Sequence, residues 1–304
     1  MMPADDAHRV VSSVAGAARA PAARAATVRA SSDPLASAES AEAAPRVAHA
    51  DRSTADSQPA FRQLVLRAAA RYRPAGRNPY YFARGKLGGD PVFAALLRDG
   101  RIKDAARVVD IGCGLGVLAA LLAAAEQCDS RSASQCSQTW PQTWAPPPKR
   151  WTLHGFDLRA DAVATGRRAL SNLGDRVALT VADARDVTLP ACDVAVMLDV
   201  LHYIDRDAQR KLLADAHEAL APGGVLLLRV GDITSNWRSR FTSMVDWWVT
   251  LLRDYRWPRF HCRPLTEWKL LLESIGYSAV VQPMSEGTPF ANVLLVATKG
   301  TAER

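Results

Sequence analysis

Strand-like and helix-like segments alternate between residues 105 and 232, and this alternation constrains the fold more than any other feature. The strand-like segments are ARVVDIG, RWTLHGFD, RVALTVAD, CDVAVMLDVL and VLLLRVGD, and the helix-like ones are VLAALLAAAEQ, ADAVATGRRALSNLG and AQRKLLADAHEALAPGG. Such alternation is typical of a mainly parallel sheet with helices on both faces. Near the C-terminus the helix TEWKLLLESIG precedes two strands, YSAVVQPM and ANVLLVATK, joined by a short loop. We therefore predict a doubly wound α/β fold with a mainly parallel seven-stranded sheet and a C-terminal antiparallel hairpin.

Residues 1–60 differ in composition from the rest of the chain. They are rich in Ala, nearly free of aromatic residues, and hold six of the 38 Lys+Arg and seven of the 31 Asp+Glu. A segment of this kind cannot bury a core, so we predict a disordered leader over 1–60 and a single domain over 61–304. A transit peptide fits less well, because transit peptides are poor in acids. The net charge of +7 therefore comes from the folded part.

Four further segments have a recognisable character. The stretch FRQLVLRAAARYR, from residue 61, predicts an amphipathic helix, and NPYYFARGKLGGDPVFAALLRDG predicts an aromatic turn followed by a short helix. Residues 127–150 are rich in Ser, Gln and Pro, which indicates a flexible surface insertion. Residues 237–263 combine four tryptophans with six arginines. We interpret this last segment as an aromatic and basic cap.

Several classes of protein are excluded or disfavoured by composition. Every hydrophobic segment is interrupted by Asp or Arg, so no membrane span is expected. The N-terminus has no secretory pattern, which favours a cytoplasmic location. The five cysteines are scattered without a C-x-x-C pair, so we expect reduced thiols and no metal site.

The stretch RVVDIGCGLG combines a strand end, an acid and three glycines at alternate positions. Gly112, Gly114 and Gly116 allow a turn with positive φ and let a ligand lie against the backbone. Asp110 repels a pyrophosphate and suits a ligand with a cationic or hydrogen-donating group. A dinucleotide fingerprint fails in the register of Gly112, where Val117 replaces a glycine, but the form G-x-G-x-x-A is allowed from Gly114.

Five motifs in order resemble the class I S-adenosylmethionine-dependent methyltransferases over residues 80–299. They are VVDIGCGLG, HGFDLRADAV, VADARD, LDVLHYI and LAPGGVLLLRVGD. The resemblance implies S-adenosylmethionine as cofactor and a Rossmann-like methyltransferase fold. Asp157 follows Asp110 by 47 residues rather than the usual 20 or so, and the 127–150 insertion accounts for the excess.

The resemblance also implies roles for individual residues. The turn of Asp110 to Gly116, including Cys113, would hold the cofactor. Asp157 would accept hydrogen bonds from both ribose hydroxyls, with Leu158 beside it, and Asp183 would lie near the adenine amino group, with Ala184 beside it. Either Arg84 or Lys86 would pair with the cofactor carboxylate. Asp199 would contact the methionine part or help to position substrate, and His202 is the candidate general base.

Each of these residues also has a simpler interpretation. Asp110 would then cap the following helix, and Asp157 and Asp183 would be turn residues. Asp199 would only end its strand, and His202 would belong to a packed aromatic corner. Arg84 and Lys86 would be solvated cations.

The acceptor is predicted less sharply than the cofactor. The aromatic residues of the cap favour a small hydrophobic or aromatic acceptor. The stretches RFHCRPLTEW and SEGTPFANVLLVATK resemble methyltransferases of bacterial aryl polyene and fatty-acid-like pathways, which implies an aryl or acyl group on an acidic carrier protein. Nucleic acid is not expected, because NPYY at 78–81 imitates an N-P-P-Y loop but precedes the glycine turn. The alternatives are a cofactor-binding scaffold protein without catalysis and a nicotinamide-dependent dehydrogenase.

Overall fold

The computed structural model of the protein describes residues 53–128, 140–231, 261–284 and 292–301. Seven strands form one sheet, and their bounds are β1 Arg107–Ile111, β2 Thr152–Asp157, β3 Val177–Val181, β4 Cys192–Leu198, β5 Leu220–Gly231, β6 Tyr277–Pro283 and β7 Asn292–Lys299. Their order across the sheet is β3-β2-β1-β4-β5-β7-β6. The first five pair in parallel, and β7 pairs antiparallel with both β5 and β6. The predicted doubly wound fold and its C-terminal hairpin are confirmed.

Helices cover both faces of this sheet. Their bounds are α1 Ser53–Ala70, α2 Arg77–Gly89, α3 Pro91–Arg98, α4 Val117–Glu126, α5 Ala160–Leu170, α6 Arg206–Ala219 and α7 Leu265–Ile275. Side chains of α1 to α5 form the core of one face, and those of α6 and α7 form the core of the other. Strand β1 supplies both cores, because Val108 belongs to the first, whereas Val109 and Ile111 belong to the second. In the described ranges, no helix has the length and the apolar character that crossing a bilayer requires.

Three predicted boundaries need correction. Helix α1 begins at Ser53, before the expected boundary at residue 61, because its buried stripe already includes Ala60. The expected aromatic turn at NPYY lies inside α2, where Pro79 falls in the first turn and is tolerated there. Helix α6 ends at Ala219 rather than at the Pro-Gly pair, since β5 already begins at Leu220.

The second half of the 127–150 segment is packed rather than flexible, which corrects the expectation of a surface insertion. Trp140 and Trp144 are buried, with ring centroids 5.4 Å apart, and Trp144 lies 6.1 Å from Phe61 of α1. The backbone N–H of Ala145 donates to the carbonyl of Arg98 at 2.9 Å. These two tryptophans extend the first core, because the N-terminal helix leaves an apolar surface for them to cover. Residues 129–139 of the segment, the leader up to residue 52 and the cap up to residue 260 lie outside the described residues.

Candidate active site

The glycine turn after β1 has the backbone that the sequence predicts. Gly112, Gly114 and Gly116 have φ of 76°, 55° and 72°, a region that side-chain-bearing residues rarely adopt. A Cβ on Gly112 would lie 2.3 Å from the Cγ2 atom of Val200, which follows β4. The first glycine therefore serves close packing of two strand ends as well as the turn.

Cys113 is buried in the same turn, and its thiol packs on β2. A Cβ on Gly155 would lie 2.7 Å from the sulfur of Cys113, so β2 needs a glycine opposite the turn. Burial raises the pKa of the Cys113 thiol. This residue is therefore a neutral packing group of the turn.

Asp157 links the end of β2 to the glycine turn. Its Oδ2 atom accepts a hydrogen bond from the backbone N–H of Gly114 at 2.8 Å, and Oδ1 accepts from that of Arg159 at 2.9 Å. Leu158 follows with 63% of its surface exposed. A carboxylate and an exposed apolar side chain thus stand side by side at this strand end.

Asp110 is buried at the end of β1, with 6% of its surface exposed. Burial, together with the smaller effect of the nearby charge of Asp157, raises the pKa of this carboxyl to about 7. Among the residues that the structure describes, none donates a hydrogen bond to the Asp110 carboxylate. A buried acid without a donor fits a site whose ligand brings the donor or the positive charge.

Asp183 follows β3 at the same edge of the sheet. The neighbouring Ala182 donates its N–H to the carbonyl oxygen of Asp157 at 3.1 Å, which joins the two strand ends. The Asp183 carboxylate accepts from the backbone N–H of Arg185 at 3.0 Å and forms an ion pair with its guanidinium. These bonds lower the pKa of Asp183. In this structure Asp183 therefore stabilises the turn after β3. Ala184 beside it packs on the second core.

Asp199 belongs to a group of four charges around the buried Arg229, which we call the charge cluster: Lys86, Asp90, Asp199 and Arg229. Arg229, on β5, is 3% exposed, and its guanidinium pairs with both Asp90 and Asp199. Lys86 Nζ lies 3.0 Å from Asp90 Oδ2 and 3.4 Å from Asp199 Oδ2. The two cations hold the pKa of Asp199 below its ordinary value despite burial. Asp199 has a φ of 61°, so the backbone turns sharply where β4 ends.

His202 lies beside the charge cluster, in a 3-10 turn over Leu201–Tyr203. Its ring centroid is 4.1 Å from that of Tyr203, which fits the predicted aromatic corner. Burial lowers the pKa of His202 to about 4, against the opposing effect of Asp199. The imidazole is therefore neutral at physiological pH.

Gln209, on α6, fixes the turn that carries His202. It is fully buried, and its amide nitrogen donates to the carbonyls of Leu201, Ile204 and His261 at 2.9, 3.0 and 2.7 Å. The His261 N–H in turn donates to the His202 carbonyl at 2.9 Å. The described end of the predicted cap, from residue 261, is therefore bonded to the turn of His202.

Arg84 and Lys86 occupy different sides of α2. Arg84 is exposed, whereas Lys86 enters the charge cluster. The sequence analysis missed Asp90, Gln209 and Arg229. Arg229 had a visible signal, since it is a charged residue within the otherwise apolar run VLLLRVG, and Gln209 lies at helical spacing from the buried Leu212 and Leu213.

Comparison with known proteins gives one family and a set of similar folds. A family model described as a methyltransferase domain matches residues 58–282. A carboxy-S-adenosyl-L-methionine synthase from Chromohalobacter salexigens is 27% identical over 135 residues, which are 44% of this chain and 43% of that protein. The chain thus spans less than half the length of this relative.

Solved structures show the same fold. An O-methyltransferase family protein from Burkholderia thailandensis has a TM-score of 0.51 at 18% identity, covering 82% of this chain and 70% of its own. The mitomycin 7-O-methyltransferase MmcR has a TM-score of 0.50 at 21% identity, covering 74% of this chain and 58% of its own.

A doubly wound sheet with a glycine turn between two strand-end carboxylates is the arrangement of the S-adenosylmethionine-dependent methyltransferases. With a family match over most of its length, the chain belongs to the methyltransferase domain family, and its cofactor is S-adenosylmethionine. The predicted cofactor and class of enzyme are confirmed. Within the described ranges, no group of three or more His, Cys, Asp or Glu residues is placed to hold a metal ion.

Proposed function

We propose that this chain transfers the methyl group of S-adenosylmethionine to a small hydrophobic or aromatic acceptor. The strongest support is the hydrogen bond of 2.8 Å from the backbone N–H of Gly114 to Asp157, near the buried carboxylate of Asp110, to which no described residue donates. The cofactor supplies a methyl group already activated by a positively charged sulfur. The protein mainly has to bind both molecules and hold the accepting atom in line.

The cofactor would be held by residues of three neighbouring strand ends. The glycine turn, with Gly112, Cys113, Gly114 and Gly116, would hold the cofactor through its backbone, and Gly112 is exposed and Gly114 half-buried. Asp157 and Leu158 would hold the ribose and the base, Asp183 and Ala184 would border the adenine, and Asp110 would face the positive charge. Lys86 and Arg84 are both candidates for the cofactor carboxylate. Lys86 already pairs with Asp90 and Asp199, whereas Arg84 is exposed and forms no ion pair with a described residue.

The acceptor would bind on the side of Asp199 and His202. As a neutral imidazole, His202 can accept a hydrogen bond from an acceptor hydroxyl, whereas its low pKa makes it a weak base. It therefore suits acceptors that need orientation more than deprotonation. We propose that Asp199 orients the acceptor side through the charge cluster and transfers no proton itself, since Arg229 holds it ionised.

The finer expectations stay predictions. An aryl or acyl acceptor on an acidic carrier protein rests on the resemblance of RFHCRPLTEW and SEGTPFANVLLVATK, and the arginines of the 237–263 segment, of which the structure describes only the end, would suit it. The mitomycin enzyme of the same fold acts, by its name, on mitomycin. A cytoplasmic location also stays a prediction. A scaffold that binds the cofactor without catalysis is the second candidate, and a dehydrogenase is disfavoured by the family match.

Calorimetry with S-adenosylmethionine tests the cofactor site. Asp157→Asn keeps the shape of the side chain but removes its charge, so we expect about 10- to 100-fold weaker binding, the usual range for a charged hydrogen-bond partner. Asp193→Asn is the matched control. Asp193 is the second residue of β4, is half-buried and pairs with Arg107. Equal affinity in wild type and Asp157→Asn would contradict the site.

Methyl transfer itself needs a separate test. Purified protein, labelled S-adenosylmethionine and a small-molecule extract should yield labelled products that are one methylene unit heavier by mass spectrometry. A protein that binds the cofactor but labels neither small molecules nor proteins of the extract would support the scaffold instead. Label found only on an acidic carrier protein would favour the carrier-bound acceptor.

A further inference from the structure

The first two helices carry an unusual charge distribution. Residues 57–89 contain no Asp or Glu, and their cations are Arg62, Arg67, Arg71, Arg73, Arg77, Arg84 and Lys86. Three of these have polar partners, because Lys86 joins the charge cluster, Arg67 bonds Cys128, and Arg71 bonds Asn172. The other four are exposed and form no ion pair with a described residue.

Helix α2 places three exposed residues on one face. Arg77, Tyr81 and Arg84 follow one another at spacings of four and three, so their side chains share one side of the helix. Tyr81 is 54% exposed. Lys86 lies on a different side, toward the charge cluster. This face is therefore distinct from the side of α2 that joins the charge cluster.

Helix α1 extends the same surface. A Cβ on Gly88 would lie 3.6 Å from Cγ1 of Val65, so the two helices touch there. Next to this contact, Leu66 is 37% exposed, and Arg62 is exposed one turn earlier. Arg73, in the connection, lies over the ring of Tyr80 at 5.3 Å. We call this surface the arginine face, and its members are Arg62, Leu66, Arg73, Arg77, Tyr81 and Arg84.

We propose that the arginine face docks the protein on an anionic lipid surface. Arginines without acidic neighbours are attracted to anionic head groups, and an exposed tyrosine and leucine can enter the interface between head groups and acyl chains. A polyanion without apolar side chains would match the guanidinium groups but offer no partner for Tyr81 and Leu66. The lipid surface satisfies both kinds of side chain.

This docking would let an apolar acceptor reach the active site from the bilayer. That consequence rests on the proposed function, whereas the binding itself does not. Each arginine near an anionic surface strengthens binding roughly fivefold, so the face predicts reversible and salt-sensitive attachment. Salt weakens it, because the screening length falls from about 10 Å at 0.1 M to about 3 Å at 1 M.

Vesicle co-sedimentation of the full chain tests the proposal. The probes are vesicles of phosphatidylglycerol with phosphatidylcholine, and of phosphatidylcholine alone. We expect binding to the first and not to the second. Arg62→Glu combined with Arg77→Glu should weaken binding at least about 25-fold, since two attractive charges are lost and two repulsive ones are added. Tyr81→Ser should weaken it by a smaller factor that salt does not change.

Matched controls come from the opposite face of the sheet. Arg210 on α6 and Lys269 on α7 are exposed and in no described ion pair, and Leu270 is 66% exposed. Arg210→Glu combined with Lys269→Glu, and Leu270→Ser, should leave vesicle binding unchanged. Circular dichroism and thermal unfolding of every variant separate loss of docking from loss of folding.

Three outcomes would overturn the proposal. The first is absence of binding to anionic vesicles at about 0.1 M salt. The second is an equal loss in the control variants. The third is vesicle binding that is unchanged in Tyr81→Ser and is fully abolished by the soluble polyanion poly-L-glutamate. That result would assign the face to an acidic protein. None of these readouts depends on methyl transfer, so failure here leaves the proposed function untouched.

Discussion

Arg229→Met removes a buried cation of the charge cluster and keeps an apolar side chain in its place. Breaking a buried ion pair by removing one partner costs about 3–5 kcal/mol, because the remaining charge stays buried without compensation. Lys86 still lies within 3.4 Å of both Asp90 and Asp199. We therefore expect the lower end, a loss of about 3 kcal/mol in the free energy of unfolding. For a domain of this size that lowers Tm by about 6–12 °C.

Denaturant unfolding of both proteins measures this loss, and a surface pair supplies the control. Arg107→Met removes a cation that is 50% exposed from its pair with Asp193, so its loss should be about 1 kcal/mol or less. A second variant, Arg229→Met with Asp199→Asn, removes the orphaned charge as well. Asn tolerates the positive φ of this position, so stability should partly return.

The pH dependence identifies the cause. In the wild type, the cations lower the pKa of Asp199 below its ordinary value of 3.8. The stability that this carboxylate contributes is therefore present above pH 3.8 and is lost only as the pH falls through the lowered pKa. In Arg229→Met, burial dominates and raises the pKa of Asp199, so the folded variant takes up a proton on acidification. The stability deficit should therefore shrink as the pH falls from neutral toward 3.8, the ordinary pKa of an Asp carboxyl. A deficit that is constant over this range, or equal to that of Arg107→Met, would refute the reasoning.

Three further predictions concern the active site. Burial raises the pKa of Asp110 to about 7, so the affinity for S-adenosylmethionine should rise from about pH 6 and level off above about pH 8, with proton release on binding in calorimetry. An affinity that does not change with pH would argue against contact between Asp110 and the positively charged sulfur. Gly112→Ala should lower Tm more than Gly174→Ala, because both positions have positive φ but only the first places a Cβ 2.3 Å from Val200. An equal fall in Tm for the two variants would exclude the clash. Gln209→Leu should raise the acceptor KM and leave cofactor affinity unchanged, because Gln209 bonds the turn of His202, His261 and Arg263 but no residue of the glycine turn. Steady-state kinetics would count against this if only stability fell.

The cofactor side of the site was predictable because its signals are local. Strand, acid and glycines follow one another between residues 107 and 116, and the backbone conformation that they dictate is the one observed. Asp157 and Asp183 each end a strand that the alternation already predicts. Since the carboxyl ends of adjacent parallel strands share one edge of the sheet, their proximity follows from topology.

The helix boundaries failed where packing decides them. NPYY reads as a turn by composition, but Tyr80 packs on the first core and holds the segment in a helix. Trp140 and Trp144 follow a Ser- and Gln-rich stretch and were assigned to a flexible insertion with it. Their burial depends on a gap beside Phe61, which no local pattern reveals.

The acceptor side depends on contacts between distant parts of the chain. Arg229 meets Asp90 across 139 residues, and Gln209 meets His261 across 52. A charged residue in a buried strand requires a partner, so the sequence could indicate that Arg229 has one but not which one. One of its two partners is Asp90, the N-cap of α3, which also accepts a hydrogen bond from the N–H of Val92 at 3.2 Å.

The charge cluster thereby connects the N-terminal helices to the strand ends by charge rather than by apolar packing alone. Asp90 caps α3, Lys86 lies on α2, and their common partner Arg229 also fixes Asp199 where β4 ends. Asp110 and Asp157, the proposed cofactor residues, form no hydrogen bond or ion pair with a member of this cluster within the described part of the chain. The glycine turn has its own link to these helices, because the hydroxyl of Tyr72, between α1 and α2, donates to the carbonyl of Leu115 at 2.8 Å. A shift of the N-terminal helices should therefore reach both Asp199 and the glycine turn.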